Sequence, residues 1–183
     1  TKQLWLPSNQ LQNIHNSKLD LLQIIKDLGF VQLDTIQNVT RAHHHILWSR
    51  NNKYQENMFD EILKNADIFE HFTHDASVLP IEFYPYWSIQ YTRIKEKIDK
   101  SKYYKNLLDD EGIKNIFKRL ENEGPLYIKD FGSDSVHKTT LDYMLYSGVL
   151  GTSHRINFRK YYDKKENIIS LEILNKQISQ KQQ

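Results

Sequence analysis

The helical periodicity of this 183-residue chain is cut twice in the same manner, and those two cuts limit what it can fold into. Leu21, Leu22, Ile25 and Leu28 recur at helical spacing, with Ser17 as a plausible N-cap, and Gly29 stops the run in the left-handed conformation that only glycine adopts at little cost. Ile113, Ile116, Phe117 and Leu120 repeat the pattern behind an Asp109 or Asp110 cap, and Gly124-Pro125 ends it sharply. An alternating stretch succeeds each stop, Phe30–Asp34 and Leu126–Phe131. Such short helices cannot bury their apolar faces alone, so each must pack against later elements of the chain.

Those later elements are again similar in order. A helix capped by Asp34 or Thr35 is predicted to run to about Arg50, with Ile36, Val39, Ile46 and Leu47 inward and Trp48 at its end. A turn at 51–54, a short helix from Glu56 to Leu63, and paired strands within 67–80 complete the first set. In the second set a helix over Thr139–Gly148, with Leu141, Met144 and Leu145 inward, precedes a hairpin with arms at 149–154 and 157–162. Helix, strand, helix, helix, hairpin is the order of a winged helix. The expected fold is therefore mainly α with small β-hairpins (α+β), as tandem winged-helix (helix-turn-helix) units. The boundaries read as a first lobe 1–85, a connecting basic helix within 86–108, a second lobe 109–170 and a frayed tail 171–183.

Composition removes whole classes of chemistry. Cysteine is absent, which excludes disulfides, thiolate metal sites and cysteine nucleophiles. No apolar run approaches the length of a membrane span, and the first residues lack signal or transit character, so a cytoplasmic location without membrane contact is expected. The six glycines are scattered, so no phosphate-cradling loop exists, and Ser77, Ser88 and Ser133 lack a nucleophile-elbow pattern. His43-His44-His45 does not read as a metal site, because adjacent helical residues point about 100° apart. No cofactor and no metal are expected.

The net charge of +2 hides a segregation: residues 1–92 carry 7 basic against 10 acidic groups, residues 93–165 carry 16 against 11. A basic second half hints at a polyanion partner, although charge alone is explained more simply by a solvated lysine-rich helix.

The pair Gln32 and Asp34 is left as candidate chemistry. In extended chain both project to one side, with Leu33 buried opposite. An amide and a carboxylate side by side can hold a water, the amide orienting it and the carboxylate accepting its proton. The same two residues also read structurally, Asp34 as a helix cap and Gln32 as a partner for backbone groups.

Leu28-Gly29-Phe30-Val31-Gln32-Leu33-Asp34-Thr35-Ile36, Val39-Thr40-Arg41-Ala42-His43-His44 and Leu47-Trp48-Ser49-Arg50 together resemble the signature of the YcaQ/AlkZ family of bacterial alkylation-repair DNA glycosylases. Ile68–Phe72, His74–Pro80, Ser147–Leu150, Arg155 and Phe158–Asp163 fit the same order. The resemblance implies tandem winged helices gripping double-stranded DNA. It also implies hydrolysis of the N-glycosidic bond of N7-alkylated purines, interstrand crosslinks included. By carry-over Gln32 and Asp34 are the catalytic pair, of the aspartate type. Arg41, His43, His44 and Arg50 would lie near the lesion strand, and Arg155, Arg159 and Lys160 on the wing would meet phosphates. The expected state is a monomer. The family also carries a third winged helix and a β-rich region that these residues do not include. A non-catalytic winged-helix DNA-binding protein is therefore the alternative reading.

Overall fold

The computed structural model describes residues 20–132 and 134–176, so Ser17 and most of the tail lie outside the described residues. The fold is mixed α/β, with two three-stranded antiparallel sheets. The chain divides into two compact units, Thr1–Ile81 and Glu82–Gln183.

In the first unit α1 (Leu21–Leu28) is capped by Asp20, whose side chain accepts from the Gln23 amide. It buries Leu21 and Ile25 and ends at Gly29, where φ is +80°. Strand β1 (Val31–Gln32) comes next, then α2 (Ala42–Trp48), α3 (Glu56–Lys64), β2 (Ile68–Phe72) and β3 (Ala76–Pro80). The sheet order is β1-β3-β2, with Val31 opposite Val78 and Gln32 opposite Ser77. Val31, Leu33, Leu47, Phe59, Leu63, Ile68 and Val78 are among its buried side chains.

The helix predicted to start at Asp34 or Thr35 does not form there. Residues 33–41 are irregular, and helical structure begins only at Ala42. The physical reason is local. The Asp34 carboxylate accepts the Ile36 amide at 2.8 Å, an Asx turn, instead of capping a helix. Ile36 and Val39, expected inward, are 68% and 89% exposed, and His43, His44 and Leu47 are the buried residues of α2.

The second unit contains α4 (Tyr84–Asp99), which breaks at Lys100-Ser101 before a short 3-10 turn at Lys102–Lys105, so the basic helix expected within 86–108 begins two residues earlier and ends at Asp99. Next come α5 (Asp110–Glu123, capped by Asp109), β4 (Leu126–Tyr127), α6 (Ile128–Phe131) and α7 (Ser135–Tyr146). The unit closes with β5 (Leu150–Ile156), β6 (Arg159–Lys164) and two single-turn helices. Helix α7 starts four residues before Thr139, because the Asp134 side chain caps it through the His137 amide. The sheet order β4-β6-β5 repeats that of the first unit. Ile116, Leu120, Leu126, Leu141, Met144, Leu145, Leu150 and Tyr162 form one buried cluster.

Among the described residues no helix is long and apolar enough to cross a membrane.

Candidate active site

Strand β1 presents the Gln32-Leu33-Asp34 segment as the edge of the first sheet. Val31 and Leu33 are buried at 2% and 4% exposure, Gln32 is exposed and Asp34 half-buried. The alternation turns the two polar side chains away from the core, as the period of a strand requires. The ladder continues past the strand, since the Leu33 amide donates to the Ala76 carbonyl at 2.8 Å, so the motif is held on the β2–β3 hairpin.

Each polar side chain has one anchor and a free valence. The Gln32 Nε2 donates to Asp75 Oδ2 at 3.5 Å, a long bond made by an exposed side chain. The Asp34 Oδ1 accepts from Ile36, which fixes the carboxylate against its own backbone. The Asp34 amide donates to His43 Nδ1 at 3.2 Å. For Nδ1 to accept, this ring is neutral with its proton on Nε2.

His43 and His44 are 1% and 7% exposed. Their rings lie 4.2 Å apart, and His43 also meets Phe59 at 5.5 Å. His44 Nδ1 bonds the Tyr54 hydroxyl at 2.7 Å, and its Nε2 lies 3.6 Å from Glu56. Burial lowers the His44 pKa from its ordinary value, against the opposing pull of Glu56. Burial, with the charges of Glu56 and Asp60, raises that of Tyr54. His45, the third histidine of the run, faces solvent.

The cationic candidates are placed differently from one another. Arg41 is half-buried at the start of α2. Arg50 donates to the Ile46 carbonyl at 2.8 Å, capping the end of that helix, and burial lowers its pKa. On the β5–β6 hairpin Arg155 donates to the Phe158 carbonyl at 2.6 Å and lies 4.4 Å from that ring. It thereby holds a tip whose residues Asn157 and Phe158 both have positive φ. Arg159 is exposed, with its guanidinium 5.6 Å from the Tyr127 ring, and Lys160 lies 5.7 Å from Tyr162. The structure thus joins Asp34, His43 and His44 into one cluster, and puts Arg155, Arg159 and Lys160 on one hairpin.

Sequence reasoning missed Asp75, Thr40, Tyr54 and Glu56. The Thr40 hydroxyl donates to the Glu56 carboxylate beside His44. Thr40 and Asp75 carried a sequence signal, as part of the family pattern; Tyr54 and Glu56 lie outside the quoted stretches. Among the described residues no group of three or more His, Asp or Glu side chains could hold a metal ion.

No solved structure gives a significant match to this one. The family model described as "DNA glycosylase AlkZ-like" matches residues 25–178, a span that includes the Gln32–Asp34 motif, the histidine cluster and the basic hairpin. The chain belongs to the AlkZ-like DNA glycosylase family.

Proposed function

We propose that this protein hydrolyses the N-glycosidic bond of N7-alkylated purines in double-stranded DNA, including purines joined in interstrand crosslinks, through Gln32 and Asp34. The reading takes the two repeated units as tandem winged helices, supported by their shared element order and sheet order. It takes the enzyme as a cytoplasmic monomer acting on the nucleoid. The observation that carries it is the projection of Gln32 and Asp34 from the solvent side of an edge strand whose other side is core.

Alkylation at N7 makes the purine a cation, so it departs as a neutral base without being protonated. The C1′–N9 bond breaks with its electron pair going to the base, and the sugar becomes oxocarbenium-like. Asp34 stabilises that charge and takes a proton from the water that attacks C1′. Gln32 directs this water with its amide oxygen, while Asp75 accepts from the amide nitrogen. His43 and His44 act from behind the motif, setting the path of the backbone at Asp34. Arg41 and Arg50 face the lesion strand, and Arg155, Arg159 and Lys160 contact phosphates from the second hairpin.

The test is incubation with a duplex carrying one N7-methylguanine. Release of free 7-methylguanine, leaving an alkali-labile abasic site, is expected. Tight binding of the duplex with no base release would favour the non-catalytic DNA-binding alternative instead.

A further inference from the structure

On the far side of the His43–His44 pair from the Asp34 amide, the first unit holds a cleft of about 400 Å³ lined in part by His44. Trp48, Tyr54, His44, His45, Thr40 and Glu56 line it. Its inner surface is already satisfied: the Tyr54 hydroxyl and the His44 ring bond each other at 2.7 Å, and the two rings stack with centroids 6.0 Å apart. Trp48, by contrast, is 57% exposed although it is a large apolar side chain at the end of a helix. The Glu56 side chain is 54% exposed at the rim, held by the Thr40 hydroxyl and facing His44 Nε2.

An aromatic face and a carboxylate in one cleft select a particular ligand. A phosphate is repelled by Glu56, and a neutral apolar group desolvates that carboxylate without supplying a compensating charge. A flat cation bearing N–H groups gains from both features, stacking on the indole and donating to the carboxylate. Burial lowers the His44 pKa from its ordinary value, which favours the neutral ring on that wall of the cleft. The cleft is linked to the motif through two histidine rings. His44 lines it, and the neighbouring His43 ring, 4.2 Å away, accepts the Asp34 amide.

We propose that this cleft receives the alkylated base itself, binding it as a cationic purine between Trp48 and Glu56 while Gln32 and Asp34 address its sugar. The inference rests on the glycosylase reading and deepens it by naming where the leaving group is recognised. For a purine alkylated on one strand only, extrusion of the nucleotide exposes the purine face to the indole, and the positive charge distinguishes damaged from normal guanine.

The full chain is titrated with 7-methylguanosine and with guanosine, following quenching of tryptophan fluorescence. 7-Methylguanosine should bind about tenfold more tightly than guanosine. Trp48→Ala should abolish both the quenching and the affinity, and Trp48→Phe should retain affinity by calorimetry. Glu56→Gln should bring the two nucleosides close to parity. Equal affinity for the two nucleosides, no binding of either, or unchanged quenching in Trp48→Ala overturns the proposal. A parent that prefers 7-methylguanosine but releases no base from DNA keeps the cleft and overturns the glycosylase reading. A parent that releases base without that preference does the reverse.

Discussion

Replacing His43 tests how firmly the candidate catalytic strand depends on the helix behind it. His43→Leu keeps a side chain of similar bulk in a site only 1% exposed, but removes the acceptor 3.2 Å from the Asp34 amide. A donor left without its partner in a half-buried place costs ~1–2 kcal/mol. The 3.2 Å length, at the long end for such a bond, puts the expectation at the lower figure. His43→Ala also opens a void against His44 and Phe59, adding ~2–3 kcal/mol. Together that is a large share of the ~5–15 kcal/mol that usually holds a domain folded. Urea denaturation measures both losses as lower midpoints, with slopes unchanged if only stability is affected. The functional consequence is sharper. With Asp34 no longer tied to α2, base release by His43→Leu should slow by about tenfold or more while DNA affinity stays near the parent's. A His43→Leu protein with the parent's midpoint and the parent's release rate would refute this coupling.

Other positions respond according to the same geometry. Leu141→Ala, at a site with no exposure in the second unit's core, should cost ~2–5 kcal/mol by urea denaturation. Ile36→Ser and Val39→Ser should each change stability by no more than ~0.5 kcal/mol, because both side chains stand in solvent rather than on a helix stripe. Burial holds the folded His44 below its ordinary 6.5, so the unfolded chain binds the proton more readily. Its contribution is therefore complete above that value and is lost as pH falls through it towards the folded pKa. Urea midpoints should drop across that window, less so in His44→Gln. DNA affinity should fall steeply with salt, and Arg159→Ala should make that dependence shallower by roughly one counterion.

Much of the fold is legible in the sequence because it is written in local signals. Gly29 and Gly124-Pro125 mark helix ends, and Leu141, Met144 and Leu145 mark a buried face, as the structure has them. The stretch 33–41 misleads for a specific reason. An aspartate before a polar run caps a helix or closes an Asx turn with the same side-chain oxygen, and only the surroundings decide. There the ladder bond from Leu33 to Ala76 and the His43 ring on the Asp34 amide hold the chain extended, so Ile36 and Val39 have no helix to join. The Gln32–Leu33–Asp34 alternation is visible, since Leu33 is apolar between two polar residues. Its partners are not. Asp75 meets Gln32 across 43 residues of chain, and the Tyr54–His44 bond depends on how the link between α2 and α3 folds back on α2. No periodicity in the sequence encodes such pairings.

The most direct measurement is the single-turnover rate of 7-methylguanine release, with enzyme in excess over a duplex containing one such base. Removing a group that accepts a proton and faces the sugar cation should slow this rate by about 10²–10⁴-fold in Asp34→Asn, at equal occupancy of the DNA. Gln32→Ala should change the rate in the same direction. If Asp34→Asn releases the base as fast as the parent, the carboxylate at the edge of the first sheet is not where the bond is broken.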